Sequence, residues 1–159
     1  MKVYTGIGSN LGNRFSNIKK AVSLIGKKCK ILKISPIYET EPIGYKNQPW
    51  FLNCVVKIEA KIKPLELLHF LKSIEIKMKR EKTIKNGPRI IDLDILFYGN
   101  KLINSKELII PHPRLRKRLF VLEPLCEISP NLVHPKLKKT VRELKNKIKN
   151  QKISLARMA

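Results

Sequence analysis

Acidic residues are scarce in this chain. Only 12 Asp and Glu stand against 34 Lys and Arg in 159 residues, for a formal charge of +22. Long hydrophobic runs are missing too. No stretch approaches the roughly 20 apolar residues that a membrane-crossing helix needs. The start, Met1-Lys2-Val3-Tyr4-Thr5-Gly6, moves straight into a strand pattern and lacks the apolar core and cleavage site of a secretion signal. The three cysteines, Cys29, Cys54 and Cys126, are odd in number and far apart, which argues against a disulfide framework or a zinc site. Cys29 and Cys54 lie in apolar runs and read as buried reduced thiols, so a cytoplasmic location is expected. No G-x-x-x-x-G-K-[ST] phosphate loop occurs anywhere. Aromatics make up only 6% of the chain, few for a nucleic-acid face that interleaves rings with cations.

The charge itself says less than its distribution. Lys is spread along the whole chain, whereas Arg is confined to Arg14, Arg80, Arg89, Arg114, Arg116, Arg118, Arg142 and Arg157. Guanidinium makes forked contacts with phosphate, so the Arg concentrated between 80 and 118 are the more informative cations.

With 43% hydrophobic residues, the length suits one compact domain spanning residues 1–159. Periodicity predicts a strand over 2–7, a helix over 13–25 stopped by Gly26, and strand character over 29–39. A loop over 40–49 and a strand over 51–59 follow. Pro64 opens a second helix that carries Leu65, Leu68, Leu71, Ile74 and Met78 on one face. After a Lys-rich loop comes a strand from about 89 to 97, then a hairpin-type turn at Tyr98-Gly99-Asn100-Lys101. Residues 114–128 read as helix in pieces, broken at Pro124 and Pro130. A basic helix over 138–150 turns Val141, Leu144 and Ile148 inward. The order β-α-β-β-α-β predicts an α+β, ferredoxin-like core with a mainly antiparallel sheet, an extra hairpin and C-terminal helices.

The chemistry concentrates in Asn86-Gly87-Pro88-Arg89-Ile90-Ile91-Asp92-Leu93-Asp94-Ile95. Side chains alternate along a strand, so Asp92 and Asp94 share a face while Ile91, Leu93 and Ile95 fill the other. Two neighbouring carboxylates on an apolar element need cations, either Lys and Arg or Mg²⁺. Arg80, Lys82 and Lys85 follow the second helix, where they either complement its C-terminus or form a basic arm over a triphosphate. His112, between Pro111 and Pro113 and followed by Arg114, Arg116 and Arg118, suits phosphate. His69 reads as packed on its helix. Gly6-Ile7-Gly8-Ser9-Asn10-Leu11-Gly12 misses the dinucleotide spacing and reads as a glycine turn between strand and helix.

Six signatures occur in order: Gly8-Ser9-Asn10-Leu11-Gly12, Tyr38-Glu39-Thr40-Glu41-Pro42, Gln48-Pro49-Trp50-Phe51-Leu52-Asn53, Gly87 to Asp94, Pro111-His112-Pro113-Arg114, and Arg118-Leu119-Phe120-Val121-Leu122-Glu123-Pro124-Leu125. Through them, residues 3–135 resemble the 6-hydroxymethyl-7,8-dihydropterin pyrophosphokinases of folate biosynthesis. The resemblance implies transfer of diphosphate from ATP to the pterin's hydroxymethyl oxygen, with release of AMP. It implies two Mg²⁺ ions on Asp92 and Asp94, with Arg80 and Arg89 joining those carboxylates in catalysis. ATP would contact Glu75, Arg80, Lys82, Arg89, Ile95, His112 and Arg118. The pterin would contact Thr40, Pro42, Ile43, Gly44, Phe51, Asn53 and Phe120, its flat ring between Phe51 and Phe120. Core packing is the alternative for these two rings.

Three positions depart from some relatives: Phe51 stands for Tyr, Asn86 for Trp and Lys82 for a lid Arg. They predict altered nucleotide affinity or lid rate with activity retained. The expected partners are ATP and the pterin. A monomer without membrane or specific nucleic-acid contacts, and without a fused second catalytic domain, is expected. Two rivals stay open. A nucleic-acid-binding module predicts steep salt dependence. A catalytically dead interaction subunit is the second, against which Asp92, Asp94, His112 and Arg118 argue.

Overall fold

The computed structural model describes residues 1–81, 84–149 and 151–156. Its main sheet is antiparallel throughout. Strand β1 (Lys2–Ser9) lies between β5 (Asp92–Tyr98) and β4 (Phe51–Glu59). The other edge of β4 is shared by β2 (Lys30–Ile34) and β3 (Tyr38–Thr40), and β8 (Ile153–Leu155) pairs with β3. Helices α1 (Arg14–Ile25) and α2 (Pro64–Lys77) cover one face, and α3 (Leu119–Ile128) and α4 (Val141–Asn146) the other. The four-strand core order matches the expected ferredoxin-like arrangement.

Local sequence accounts for most elements. Asn13 caps α1 by accepting from Ser16 N at 3.0 Å, and Ile18, Ala21, Leu24 and Ile25 bury its inner face. Pro64 occupies the first turn of α2, where its missing N–H costs nothing. The buried face of α2 is Leu67, Leu71, Ile74 and then Met78; Leu65, expected inside, is 43% exposed. His69 also departs from expectation. It faces solvent and pairs with Glu107 at 3.2 Å.

Other boundaries differ for identifiable reasons. The strand predicted over 29–39 is two strands. Pro36 cannot donate to a ladder, and Ser35 instead both donates to Val55 O and accepts from Val55 N, each at 2.9 Å. The turn at Tyr98–Lys101 exists but joins no paired strands. The outer edge of β5 receives His112 N on Leu96 O, and the hairpin is formed by β6 (Ile103–Asn104) and β7 (Ile109–Ile110). A 3₁₀ turn at Leu115–Lys117 precedes α3, and α3 runs through Pro124. An interior Pro costs about 3 kcal/mol. Burying Val121, Leu122, Leu125 and Ile128, each worth roughly 1.5–3 kcal/mol, outweighs that cost. Helix α4 is shorter than the expected 138–150. A Thr140–Glu143 capping box starts it, and the Lys145/Lys149 repulsion one turn apart disfavours its extension. Strand β8 has no counterpart among the sequence-based expectations.

Candidate active site

The sheet register builds the floor of the site. Leu93 and Ile95 point into the α1/α2 core, while Asp92 and Asp94 rise from the opposite face of β5. A bulge opposite Tyr4 and Thr5 then places Leu96 and Phe97 together in the α3/α4 core, closing the floor behind the carboxylates. Gly8 is registered against Asp92 on one side and Asn53 on the other, and Gly6 against Asp94 and Val55. Two glycines thus leave the sheet bare between the carboxylates and Asn53. A Cβ on Gly8 would stand 2.6 Å from Asn53 Oδ1. The glycine motif therefore makes room for this amide.

The cations are distributed unequally over the pair. Arg80 Nη1 donates to Glu75 Oε2 at 2.7 Å and to Asp92 Oδ1 at 3.1 Å. Leu93 N also donates to Glu75 Oε2, at 2.9 Å, so Glu75 anchors Arg80 while burial raises its own pKa. Arg89 Nε lies 3.4 Å from Asp92 Oδ2. Among the described residues, that Nε is the one buried side-chain polar atom without a hydrogen bond. No hydrogen bond or ion pair among the described residues reaches Asp94. Burial first, and the Asp92 charge second, push its carboxyl up to about 7.

This is a fitting donor set for Mg²⁺. Among the described residues one carboxylate is left without a hydrogen bond or ion pair beside another, in a concave site where phosphate oxygens would supply further ligands. The orphaned guanidinium N–H of Arg89 points to an anion as well. No cluster of three or more His, Cys, Asp or Glu occurs among the described residues, so the protein supplies only part of any coordination sphere.

Arg118 sits at the start of α3, its guanidinium 5.3 Å from the centre of the Phe120 ring, and Arg89 lies 4.8 Å from that of Phe51. His112 accepts from Arg114 N on Nδ1 at 3.2 Å, so its neutral ring carries the proton on Nε2. Burial, and then Arg118, lower its pKa to about 4.

Two cavities meet here. The first, of about 210 Å³, is lined by Thr40, Ile43, Phe51, Asn53 and Phe120 together with Arg89, Asp92 and Arg118. The second, of about 680 Å³, is lined by Leu68, Glu75, Arg80, Asp92 and Asp94 among others. They share Asn86, Arg89 and Asp92. Most of the expected site residues are thereby brought together. Pro42 and Gly44 line neither cavity; Gly44 packs against Asn86, which stands where a Cβ on Gly44 would lie within 2.7 Å of Asn86 Nδ2. Ile95 turns its side chain into the α1/α2 core. His112 lines a third cavity, of about 660 Å³. Lys82 lies outside the described residues.

The sequence places Asn10 near the cap of the first helix and gives neither Asn10 nor Gln48 a part in the site. Asn10 is 2% exposed; its Nδ2 donates to Gln48 Oε1 at 2.8 Å and Pro49 O at 2.9 Å, and its Oδ1 accepts from Arg89 N at 2.8 Å. Gln48 Nε2 donates to Asn86 O at 2.6 Å. Both residues lie inside quoted signatures, but a polar residue in a loop pattern carries no mark of burial. His134, read from the sequence as a loop residue before Pro135, is 7% exposed and edge-on to Phe97, and its burial was hidden for the same reason.

Residues 4–130 match the family described as 7,8-dihydro-6-hydroxymethylpterin-pyrophosphokinase (HPPK). The 2-amino-4-hydroxy-6-hydroxymethyldihydropteridine pyrophosphokinase of Aquifex aeolicus is 45% identical over 143 residues, covering 90% of this chain and 89% of that one. The folic acid synthesis protein fol1 of Pneumocystis carinii is 52% identical over 134 residues, covering 84% of this chain and 18% of the longer protein. Against that protein and its Schizosaccharomyces pombe and Dictyostelium discoideum counterparts, the chain spans about a fifth of their length. The crystal structure of wild-type Plasmodium falciparum HPPK-DHPS with pteroate superposes with a TM-score of 0.73 at 20% identity, over 92% of this chain and 42% of that one, and shares the fold. On the match to residues 4–130 and the close Aquifex relative, the chain belongs to the 7,8-dihydro-6-hydroxymethylpterin-pyrophosphokinase family.

Proposed function

We propose that this chain, as one pyrophosphokinase domain, transfers diphosphate from ATP to 6-hydroxymethyl-7,8-dihydropterin in folate biosynthesis. The observation that carries the reading is the junction of the two cavities at Arg89 and Asp92. The smaller cavity has the apolar walls and single buried amide that a flat, polar-edged heterocycle requires. The larger one has the cations for a triphosphate.

In the reaction, the pterin's hydroxymethyl oxygen bonds to the β-phosphorus as the bond from that phosphorus to the α–β bridging oxygen breaks. AMP leaves with the electron pair, and the hydroxyl proton is released. Asn53, whose Nδ2 donates to Thr40 Oγ1 at 2.6 Å, offers its Oδ1 to the pterin's amino edge. Phe51 and Phe120 supply the flanking rings. Arg80, Arg89 and Arg118 bind the phosphates, as does the neutral His112 through Nε2–H; Lys82 is assigned with them from its position in the sequence. Ile95, whose side chain enters the α1/α2 core, is likewise assigned to the nucleotide from its position in the sequence. Asp92 and Asp94 would hold two Mg²⁺, which when bound neutralise charge along the triphosphate and polarise the hydroxyl. Chemistry of this kind leaves positioning and electrostatics as the protein's main contribution.

A monomer in the cytoplasm is part of the same proposal. The location, though not the monomeric state, is supported by the free buried thiols of Cys29 and Cys54, the latter pushed up to about 12 by burial. No helix among the described residues is long and apolar enough to cross a membrane.

Product analysis with ATP, Mg²⁺ and the pterin tests the reading. AMP formed in step with a diphosphorylated pterin is expected. ADP, or nucleotide turnover indifferent to the pterin, would overturn it.

A further inference from the structure

The segment after α4 does more than cover an edge. Strand β8 pairs with β3, placing Ile153 opposite Thr40 and Leu155 opposite Tyr38, and Ala156 N donates to Ile37 O at 2.9 Å. Just before it, Lys152 N donates to Glu41 Oε1 at 3.2 Å. Gln151 reaches the other way. Its Oε1 accepts from Leu119 N at 3.0 Å and its Nε2 donates to Lys117 O at 2.8 Å. Leu119 is the first residue of α3, and the preceding Arg118 provides no side-chain cap. The Gln151 amide therefore satisfies a helix-start donor that is otherwise open.

Both anchor points belong to segments that line the smaller cavity: Thr40 and Glu41 at the end of β3, and Lys117, Arg118 and Phe120 at the entry to α3. Among the described residues, no hydrogen bond joins residues 38–44 directly to 114–122. We propose that Gln151 and β8 form a tie across the acceptor pocket that sets the distance between the Thr40 edge and the Phe120 ring, making Gln151 a positioning residue for the flat acceptor.

This rests on the acceptor reading of that cavity. The tie is separable from the fold. Val121, Leu122, Leu125 and Ile128 hold the body of α3 in the core, and β3 keeps its ladder to β4. Loss of Gln151 frees only the first turn of α3, where Phe120 stands.

The test compares full-length Gln151→Ala, Gln151→Glu and Lys152→Ala with the unaltered chain. Dissociation constants are measured for the pterin, by its fluorescence with Mg²⁺ and a non-hydrolysable ATP analogue present, and for the analogue alone. Losing a cap and its companion hydrogen bond predicts pterin binding weaker by about five- to tenfold for Gln151→Ala. The analogue should weaken less than the pterin, because of the residues assigned to the phosphates only Arg118 adjoins the freed turn, while Arg80, Arg89 and His112 are held elsewhere. Gln151→Glu keeps an acceptor for Leu119 N and should recover part of the loss; Lys152→Ala keeps its main-chain donor and should match the unaltered chain. Pterin binding unchanged in Gln151→Ala overturns the tie, as does equal weakening of both ligands, the signature of general destabilisation. Should Gln151→Ala fail to fold, Gln151→Glu decides: the tie requires its pterin binding to weaken more than its analogue binding, and any other result overturns it. No pterin binding by the unaltered chain overturns the acceptor reading first, and the tie with it.

Discussion

Asp92 and Asn53 stand in one cross-strand row, each registered directly against Gly8 of the strand between them. Direct neighbours across a sheet are about 5 Å apart, so the Asp92 carboxylate and the Asn53 amide leave the same face roughly 10 Å apart. The row crosses a residue with no side chain. The pairing of strands, rather than any loop, thus fixes how far these two groups lie from each other.

Gly8→Ala tests this directly. Its Cβ would fall 2.6 Å from Asn53 Oδ1, with Leu52 O 3.8 Å away, so the amide must turn out of its place. Overpacking of this kind costs about 1–3 kcal/mol, which predicts pterin binding weaker by about tenfold or more. Nucleotide binding should stay near its original value. Titration with each ligand checks the split; equal losses would remove Gly8 from the acceptor site.

Asp94→Asn separates the two carboxylates. Asp92 has Arg80 and Arg89 at 3.1 and 3.4 Å, whereas no such partner reaches Asp94 among the described residues. If Asp94 holds a divalent cation, Mg²⁺ with an ATP analogue raises the melting temperature of the unaltered chain and much less that of Asp94→Asn. Turnover of the variant should fall about 1000-fold, equivalent to about 4 kcal/mol of transition-state stabilisation. An equal Mg²⁺-dependent shift in both proteins would move the cation site elsewhere.

His112 predicts a pH effect on stability. Its folded pKa is lowered to about 4 from the usual 6.5, by burial and by Arg118. Between those values the unfolded chain binds the proton more readily, so the contribution is present above pH 6.5 and is lost as pH falls towards 4. Replacing it by Gln removes that dependence. Urea denaturation at pH 7 and pH 4 should show the variant losing up to about 3 kcal/mol less than the unaltered chain. The same shift means that no His112 ionisation should shape activity between pH 6 and 8.

Period-2 and period-3.6 patterns made the central strands, α1 and the start of α2 readable, because burial on one face writes itself into the sequence. The facing of Asp92 and Asp94 followed from the same rule. The motifs carried the site's membership but not its geometry. That Gly8 serves Asn53, or that Arg89 rests on Phe51, depends on register and on contacts between segments far apart in sequence. Strand β8 was hidden because a three-residue strand behind a Lys-rich run has no periodicity to show. Pro124 misled because a local helix-breaking cost was read without the tertiary packing that exceeds it.

Asn10 yields the prediction that most separates positioning from binding. It touches neither the acceptor cavity nor the phosphate cavity, yet its buried amide joins the loop at Gln48–Pro49 to the main chain of Arg89 on both sides: Asn10 N donates to Arg89 O at 3.1 Å and Arg89 N donates to Asn10 Oδ1. Asn10→Asp keeps the acceptor for Arg89 N but sets a carboxylate oxygen against Gln48 Oε1 and Pro49 O, two acceptors with no donor between them. Each unsatisfied buried group costs about 1–3 kcal/mol, so urea denaturation should show a loss of at least about 2 kcal/mol. Because the repelled carboxylate stays bonded to Arg89 N, its displacement shifts the Arg89 segment together with the Gln48–Pro49 loop, so KM should rise for both the pterin and ATP, unlike the one-sided effect at Gly8. A one-sided change at Asn10, or none, would mean that the two loops keep their places without this amide and that the Gln48–Asn86 bond alone suffices to hold them.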